Sequence, residues 1–140
     1  MTQPEFTILE HPADLGIRAC GTTLAQAFEV VAYGLISLIL DSKSIRCVES
    51  RKVRVSAQNY QQLLVRWLNE ILFLYDGERF APVEFEIQEL SECRLVAEVR
   101  GTNCDSEIYQ TRLDVKAVTY HQLFINQTQG GYSLQVFLDV

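Results

Sequence analysis

The sequence is short of positive charge, of histidine and of any long apolar run. Twelve Lys and Arg stand against eighteen Asp and Glu, a formal net charge of −6. A surface that follows a phosphate backbone without reading bases rests on Lys and Arg contacts, so this balance argues against strong direct nucleic-acid binding. The longest apolar run, Leu35 to Leu40 with Ser37 inside it, is far too short to cross a bilayer. The opening residues Met1-Thr2-Gln3-Pro4-Glu5 lack the basic and apolar regions of a signal peptide, which predicts a cytoplasmic chain with no membrane partner. Cys20, Cys47, Cys93 and Cys104 form no C-x-x-C pair and meet no paired His spacing, which disfavours zinc and leaves buried free thiols as the expectation. G-x-S-x-G, G-x-x-x-x-G-K-[ST], G-x-G-x-x-G and H-E-x-x-H are all missing, which removes the common hydrolase, nucleotide-binding and zinc-protease classes.

What is present describes one ordinary domain over residues 1–140, since 48% hydrophobic and 21% charged residues suffice for a core without repeats or low-complexity linkers. Glu5 to Glu10 alternates as a first strand, and Pro12 and Gly16 punctuate a turn that carries Asp14 before Ile17 to Cys20 extends again. An Asp in such a turn ordinarily closes an Asx turn on its own backbone. Thr23 and Gln26 form a capping pair, and Leu24, Phe28, Val31, Leu35 and Leu38 follow at helical spacing to Leu40. Ile45 to Val48 and Lys52 to Ala57 read as two short strands joined through Glu49-Ser50-Arg51. Asn59 and Gln62 cap a second helix whose stripe Leu63, Leu64, Trp67, Leu68, Ile71, Leu72 and Tyr75 predicts core packing, Trp67 included. Phe80 to Glu89 and Arg94 to Arg100 form a strand pair, followed by a polar stretch from Gly101 to Gln110. The fold class is α+β: two amphipathic helices packed on a mainly antiparallel sheet of about seven short strands.

The last quarter organises the rest. Asp114 to His121 and Tyr132 to Val140 read as strands, with Gly130-Gly131 supplying two residues of positive φ for a hairpin turn. A chain that ends in a packed strand holds the Val140 carboxylate beside Asp139, and two fixed negative groups demand a Lys, an Arg or a metal ion. Lys116 interrupts an apolar run and shares a face with Asp139 in this pairing, while His121 points away. Lys116 and Gln122 are nevertheless about 20 Å apart along a regular strand, so only a bulge or break between Tyr120 and Phe124 would bring Lys116 near Asp139.

Four segments together carry a resemblance. His11-Pro12-Ala13-Asp14-Leu15-Gly16-Ile17 resembles the amino-terminal H-T-A-D-x-G-[IV] signature of the archease family, and Trp67-Leu68-Asn69-Glu70 resembles its W-L-N-E. Lys116-Ala117-Val118-Thr119-Tyr120-His121 is similar to its K-A-x-T-Y-H, and Leu138-Asp139-Val140 to its closing aspartate. The order is the family's and the span is nearly the whole chain. Pro12 stands where the family usually has Thr, and Tyr109 where a His is expected. The resemblance implies a non-enzymatic activator of an RtcB-type RNA ligase, which promotes guanylylation of the ligase histidine and multiple turnover in tRNA splicing and RNA repair. It also implies a metal held by Asp14, Asp139 and the terminal carboxylate of Val140, with Lys116 as a functional lysine. An all-oxygen donor set suits Ca²⁺, or Mg²⁺, over Zn²⁺. Two readings from other classes stay open: a small metal-assisted enzyme using His121 or His11 as base, and a chaperone-like interaction module. For each histidine a structural, hydrogen-bonded role is the simpler alternative.

Overall fold

The computed structural model describes residues 4–10, 14–41, 43, 45–103 and 111–140. In chain order the elements are β1 (Glu5–Glu10), β2 (Leu15–Gly21), α1 (Leu24–Ile39), β3 (Glu49–Ser56), α2 (Tyr60–Asp76), β4 (Phe80–Ser91), β5 (Arg94–Asn103), β6 (Ala117–Thr128) and β7 (Gly131–Asp139). Both helices begin where the side chains dictate. Thr23 accepts the Gln26 amide at 3.1 Å, and Gln26 returns to the Thr22 amide at 2.7 Å, one residue earlier than the Thr23 amide of a standard capping box. Asn59 and Gln62 repeat the device, with Gln62 reaching back to Gln58.

The α+β class, the two helices and the seven antiparallel strands match the expectation from the sequence, with one refinement: the strands divide between two sheets. The first has the order β1-β2-β7-β6 and the second β3-β5-β4. Helix α1 packs on β1, β2 and β7 of the first sheet and on β4 of the second. Helix α2 packs on β6 of the first and on all three strands of the second. The helices therefore belong to both sheets at once, which is why α1 buries Ala27, Phe28, Val31, Ala32, Leu35, Ile36 and Ile39 around more than one face. Trp67 is fully buried, and its indole N–H donates to the Phe28 carbonyl at 3.0 Å, tying α2 to α1. The tryptophan is core, as its spacing predicted.

Several local expectations are corrected. Residues 45–48 form no strand; β3 is one run from Glu49, because Glu49 to Ser56 pairs without a break along Arg94 to Gly101 of β5. The hairpin turn is Gln129-Gly130, with Gly130 at φ 92°, and Gly131 is already paired to Thr128. Strand β6 starts at Ala117, after Lys116. Cys20 is half-buried and Cys47 and Cys93 are exposed, so these three thiols are free but not buried, and Cys104 lies outside the described residues.

Helix side chains also settle amides at the sheet margins. Glu29 of α1 accepts the Ile87 amide of β4 at 2.8 Å, beside a bulge in the β4–β5 ladder. Burial, and more weakly the charge of Glu86, push the Glu29 carboxyl above its ordinary range, against the opposing pull of the Ile87 amide. On the far side of the first sheet, Phe137 is buried although it lies outside the main core, and it rests on Gly16, its partner across the β2–β7 ladder. A Cβ on Gly16 would come within 2.9 Å of the Phe137 ring.

Two stability measurements follow. Gly16→Ala is expected to cost about 1–3 kcal/mol in urea unfolding, because the enclosed Phe137 ring has nowhere to retreat. Because the folded chain holds the Glu29 proton more tightly than the unfolded chain does, the contribution of Glu29 to stability is fully present below the ordinary Glu range and declines as pH rises through the raised pKa. Glu29→Gln keeps the acceptor for Ile87 and is expected to remove that decline, measured as urea midpoints at about pH 4 and about pH 7.

Candidate functional site

The β6–β7 ladder carries a register change. From the turn, Thr128 pairs Gly131 and Phe124 pairs Gln135; beyond the change, Thr119 pairs Phe137 and Ala117 pairs Asp139. Tyr120 to Leu123 thus oppose the single residue Val136. Continued without interruption, the Phe124–Gln135 register would set Asp139 against Tyr120. With the bulge, Asp139 meets Ala117, and the Lys116 amide donates to the Asp139 carbonyl at 2.8 Å. The interruption that Lys116 requires is therefore present. The shared-face argument fails, however, because Ala117, not Lys116, lies across from Asp139.

The bulge is held from several sides. Gln122 takes a positive φ of 49°, a conformation most residues avoid. Gln135, a buried polar residue 6% exposed, donates its side-chain amide to the Gln122 carbonyl at 2.9 Å. Arg18 of β2 donates to the Gln135 side-chain oxygen through Nε at 3.1 Å and Nη2 at 2.7 Å, and its guanidinium lies over Phe124. Thr119 Oγ1 accepts the His121 amide and donates to the Phe137 carbonyl. His121 is exposed, with its ring edge-to-face on Phe137 at 5.7 Å, an aromatic packing role.

Asp14 immediately precedes Leu15, which pairs with Leu138. Pairing stops there, and one further step in the same register would set Asp14 opposite Asp139; the beginning of β2, the end of β7 and the beginning of β6 meet at one end of the first sheet. Asp14 is half-buried; Lys116, Asp139 and Val140 are exposed. This edge gathers the four candidate residues Asp14, Lys116, Asp139 and Val140, whereas His11 and Tyr109 lie outside the described residues. Asn69 of α2 reaches the same neighbourhood, its side-chain oxygen accepting the Val118 amide at 3.0 Å. The W-L-N-E and K-A-V-T-Y-H segments are thereby joined by one hydrogen bond.

The donor chemistry here suits a hard cation. Carboxylates at an exposed edge can bind an ion that keeps part of its water shell. Among the described residues no group of three or more His, Cys, Asp or Glu is gathered. An ion at this edge would accordingly take two side-chain carboxylates, Asp14 and Asp139, and fill its shell from Val140 and water. Two grooves lie elsewhere on the described surface. A largely apolar groove of about 470 Å³ runs between β1, α1 and β4 past Phe6, Glu29, Tyr33 and Phe85. A second, of about 480 Å³, runs past Arg54, Arg66, Asn69 and Phe73. Neither of these two grooves is lined by Asp14, Lys116 or Asp139.

Sequence reasoning missed Arg18, Gln135 and the bonding role of Asn69. Asn69 stands on the polar side of its helix and Gln135 on the polar alternate of β7, so no local signal singles them out.

The strand ends thus form a polar rim on an α+β domain whose two sheets are bridged by two helices. The chain belongs to the Archease protein family, whose match extends over residues 6–140. It is 31% identical to an archease of Methanosarcina barkeri over 97% of this chain and 96% of that one. It is 33% identical to one of Saccharolobus solfataricus, over 97% and 99%. A solution structure of a Methanobacterium thermoautotrophicum protein, 28% identical, superposes with a TM-score of 0.80 over 96% of this chain and 98% of that one. The crystal structure of an archease from Thermotoga maritima, described as a possible chaperone, shares the fold at a TM-score of 0.61 and 18% identity, over 100% of this chain and 98% of that one. Among the described residues, no helix is long and apolar enough to cross a membrane.

Asn69→Ala is expected to leave the Val118 amide without its acceptor. The expected cost is about 1–2 kcal/mol in urea unfolding, with faster amide exchange at Val118 than along α2.

Proposed function

We propose that this chain is a non-enzymatic activator of an RtcB-type RNA ligase, promoting guanylylation of the ligase histidine and repeated turnover in tRNA splicing and RNA repair. The carrying observation is the register change in β6, which draws Lys116 to the strand end where Asp139 sits and Asp14 enters the sheet. Family membership supports the same reading. In this proposal Asp14, Asp139 and Val140 hold a divalent ion, Ca²⁺ in the first instance and Mg²⁺ as the alternative. Such an ion would offset the paired carboxylates and pin the Asp14 turn to the end of β7. Lys116 presents a mobile cation from the same rim.

The chemistry required of an activator is positioning. A histidine attacks the α-phosphorus of GTP while pyrophosphate leaves, and misaligned groups make that attack slow. An acidic, cation-bearing rim docked at the ligase nucleotide pocket favours the arrangement in which nucleophile, phosphate and counter-charges are in line. The net charge of −6 suits a partner with a basic, RNA-binding face, and this chain then needs no contact with RNA itself.

Single-turnover guanylylation of the cognate ligase tests this. The wild-type chain is expected to accelerate the step, and Asp14→Ala and Lys116→Ala to lose on the order of tenfold or more of that acceleration while staying folded. Full stimulation by both folded variants would sink the proposal. Turnover by the chain alone would point to an enzyme, and equal effects on unrelated unfolded clients to a chaperone. Calorimetric titration with Ca²⁺ is expected to show one site that Asp139→Asn weakens by roughly tenfold, as removal of one of few charged ligands implies.

A further inference from the structure

The proposed function needs Lys116 at the end of β7, yet Lys116 precedes a bulge whose one local support is the His121 amide bond to Thr119 Oγ1. Tyr120-His121-Gln122-Leu123 contains no Gly or Pro, and Gln122 adopts a positive φ without the freedom of glycine. Something outside the segment must hold it. Only one buried polar side chain is found among the described residues, Gln135, and it lies on β7 directly beside the bulge.

We propose that Gln135, oriented by Arg18, is the positioning residue that sets the register of β6 against β7 and so keeps Lys116 beside Asp139. Arg18 can only donate, so the side-chain oxygen of Gln135 must face it, and both bonds from the guanidinium reach that one oxygen. The opposite end of the Gln135 amide is then necessarily the NH₂ group, directed at the Gln122 carbonyl. The relay fixes three things in sequence: Arg18 fixes which way Gln135 faces, Gln135 fixes the peptide that follows Gln122, and that peptide fixes how many residues of β6 are spent opposite Val136. The stacking of Arg18 over Phe124 adds a second hold on the residue where regular pairing resumes. A slip to the uninterrupted register would put Tyr120 opposite Asp139 and strip the Lys116 amide of its acceptor, at the cost of a buried, unpaired Gln135 amide.

The relay makes different demands on its two ends, which gives a discriminating variant. Gln135→Glu keeps an acceptor for Arg18 but replaces the donor to Gln122 with an oxygen that repels its carbonyl. Hydrogen exchange at the Lys116 amide reads the outcome without any ligase. In Gln135→Glu the Lys116 amide is expected to exchange about tenfold faster, the equivalent of one lost hydrogen bond, while amides of α2 and β5 keep their protection. Arg18→Val, at an exposed position of β2, is expected to shift Lys116 in the same direction by less, and it decides the matter should Gln135→Glu fail to fold. Unchanged Lys116 exchange in a folded variant, or a uniform rise across α2 and β5, would overturn the assignment. The functional consequence rests on the activator reading: a ligase that wild-type chain stimulates should respond less to Gln135→Glu. If the wild-type chain gives no stimulation, that reading fails and the exchange result still judges the relay.

Discussion

The pairing of β6 with β7 changes register once, and the arrangement of the candidate site depends on that change. On the turn side of the bulge the two strands form an ordinary hairpin set by Gln129-Gly130. On the far side the same strands are offset, so that the residues after Lys116 meet the end of the chain. An offset of an odd number of residues also reverses which alternate positions face inward: Val118 pairs Leu138 and Ile125 pairs Leu134, one even-numbered and one odd-numbered residue of β6 each against the helix side of β7. A single strand thus has two amphipathic phases. The buried face is continuous across the bulge even though the sequence pattern is not.

Around this offset the remaining structure is arranged to hold the first sheet at its rim. Gly16 lets Phe137 lie flat on the outer face of the sheet, and His121, lifted by the bulge, closes over the ring. The glycine of the amino-terminal signature therefore has a packing reason: any side chain there would displace an aromatic ring two residues from Asp139. Asn69 ties the helix side of the same rim to Val118. Signature segments that are far apart in the chain serve one small region from opposite faces of the sheet.

How much of this was legible in the sequence follows the range of the forces involved. The helices are readable almost to the residue because their caps are local: Thr23 with Gln26 and Asn59 with Gln62 settle each start within a few residues. Strand existence is legible from alternation, and β1, β4 and β5 lie where alternation puts them. Register is not, because it is set by Arg18 and Gln135, 117 residues apart in sequence. The turn was misplaced for a related reason. A Gly-Gly pair announces freedom at two positions, whereas the chain uses positive φ only at Gly130. The polar run Glu49 to Arg51 suggests a loop, yet it belongs to β3, because its ladder to β5 is a long-range pairing that local polarity does not announce. The candidate site was half legible: a bulge between Tyr120 and Phe124 follows from the spacing of Lys116 and Asp139, but nothing local announces the residues that enforce it.

The amides at the outer margins of two strands bear on how any other chain can approach. Glu29 already occupies the Ile87 amide of β4, and Asn69 the Val118 amide of β6. A visiting strand seeking to extend either sheet sideways would find those donors taken and a helix in its path. Association by strand addition is discouraged at both places. An approach along the strand axes of the first sheet meets instead the tip where β2 begins, β7 ends and β6 begins.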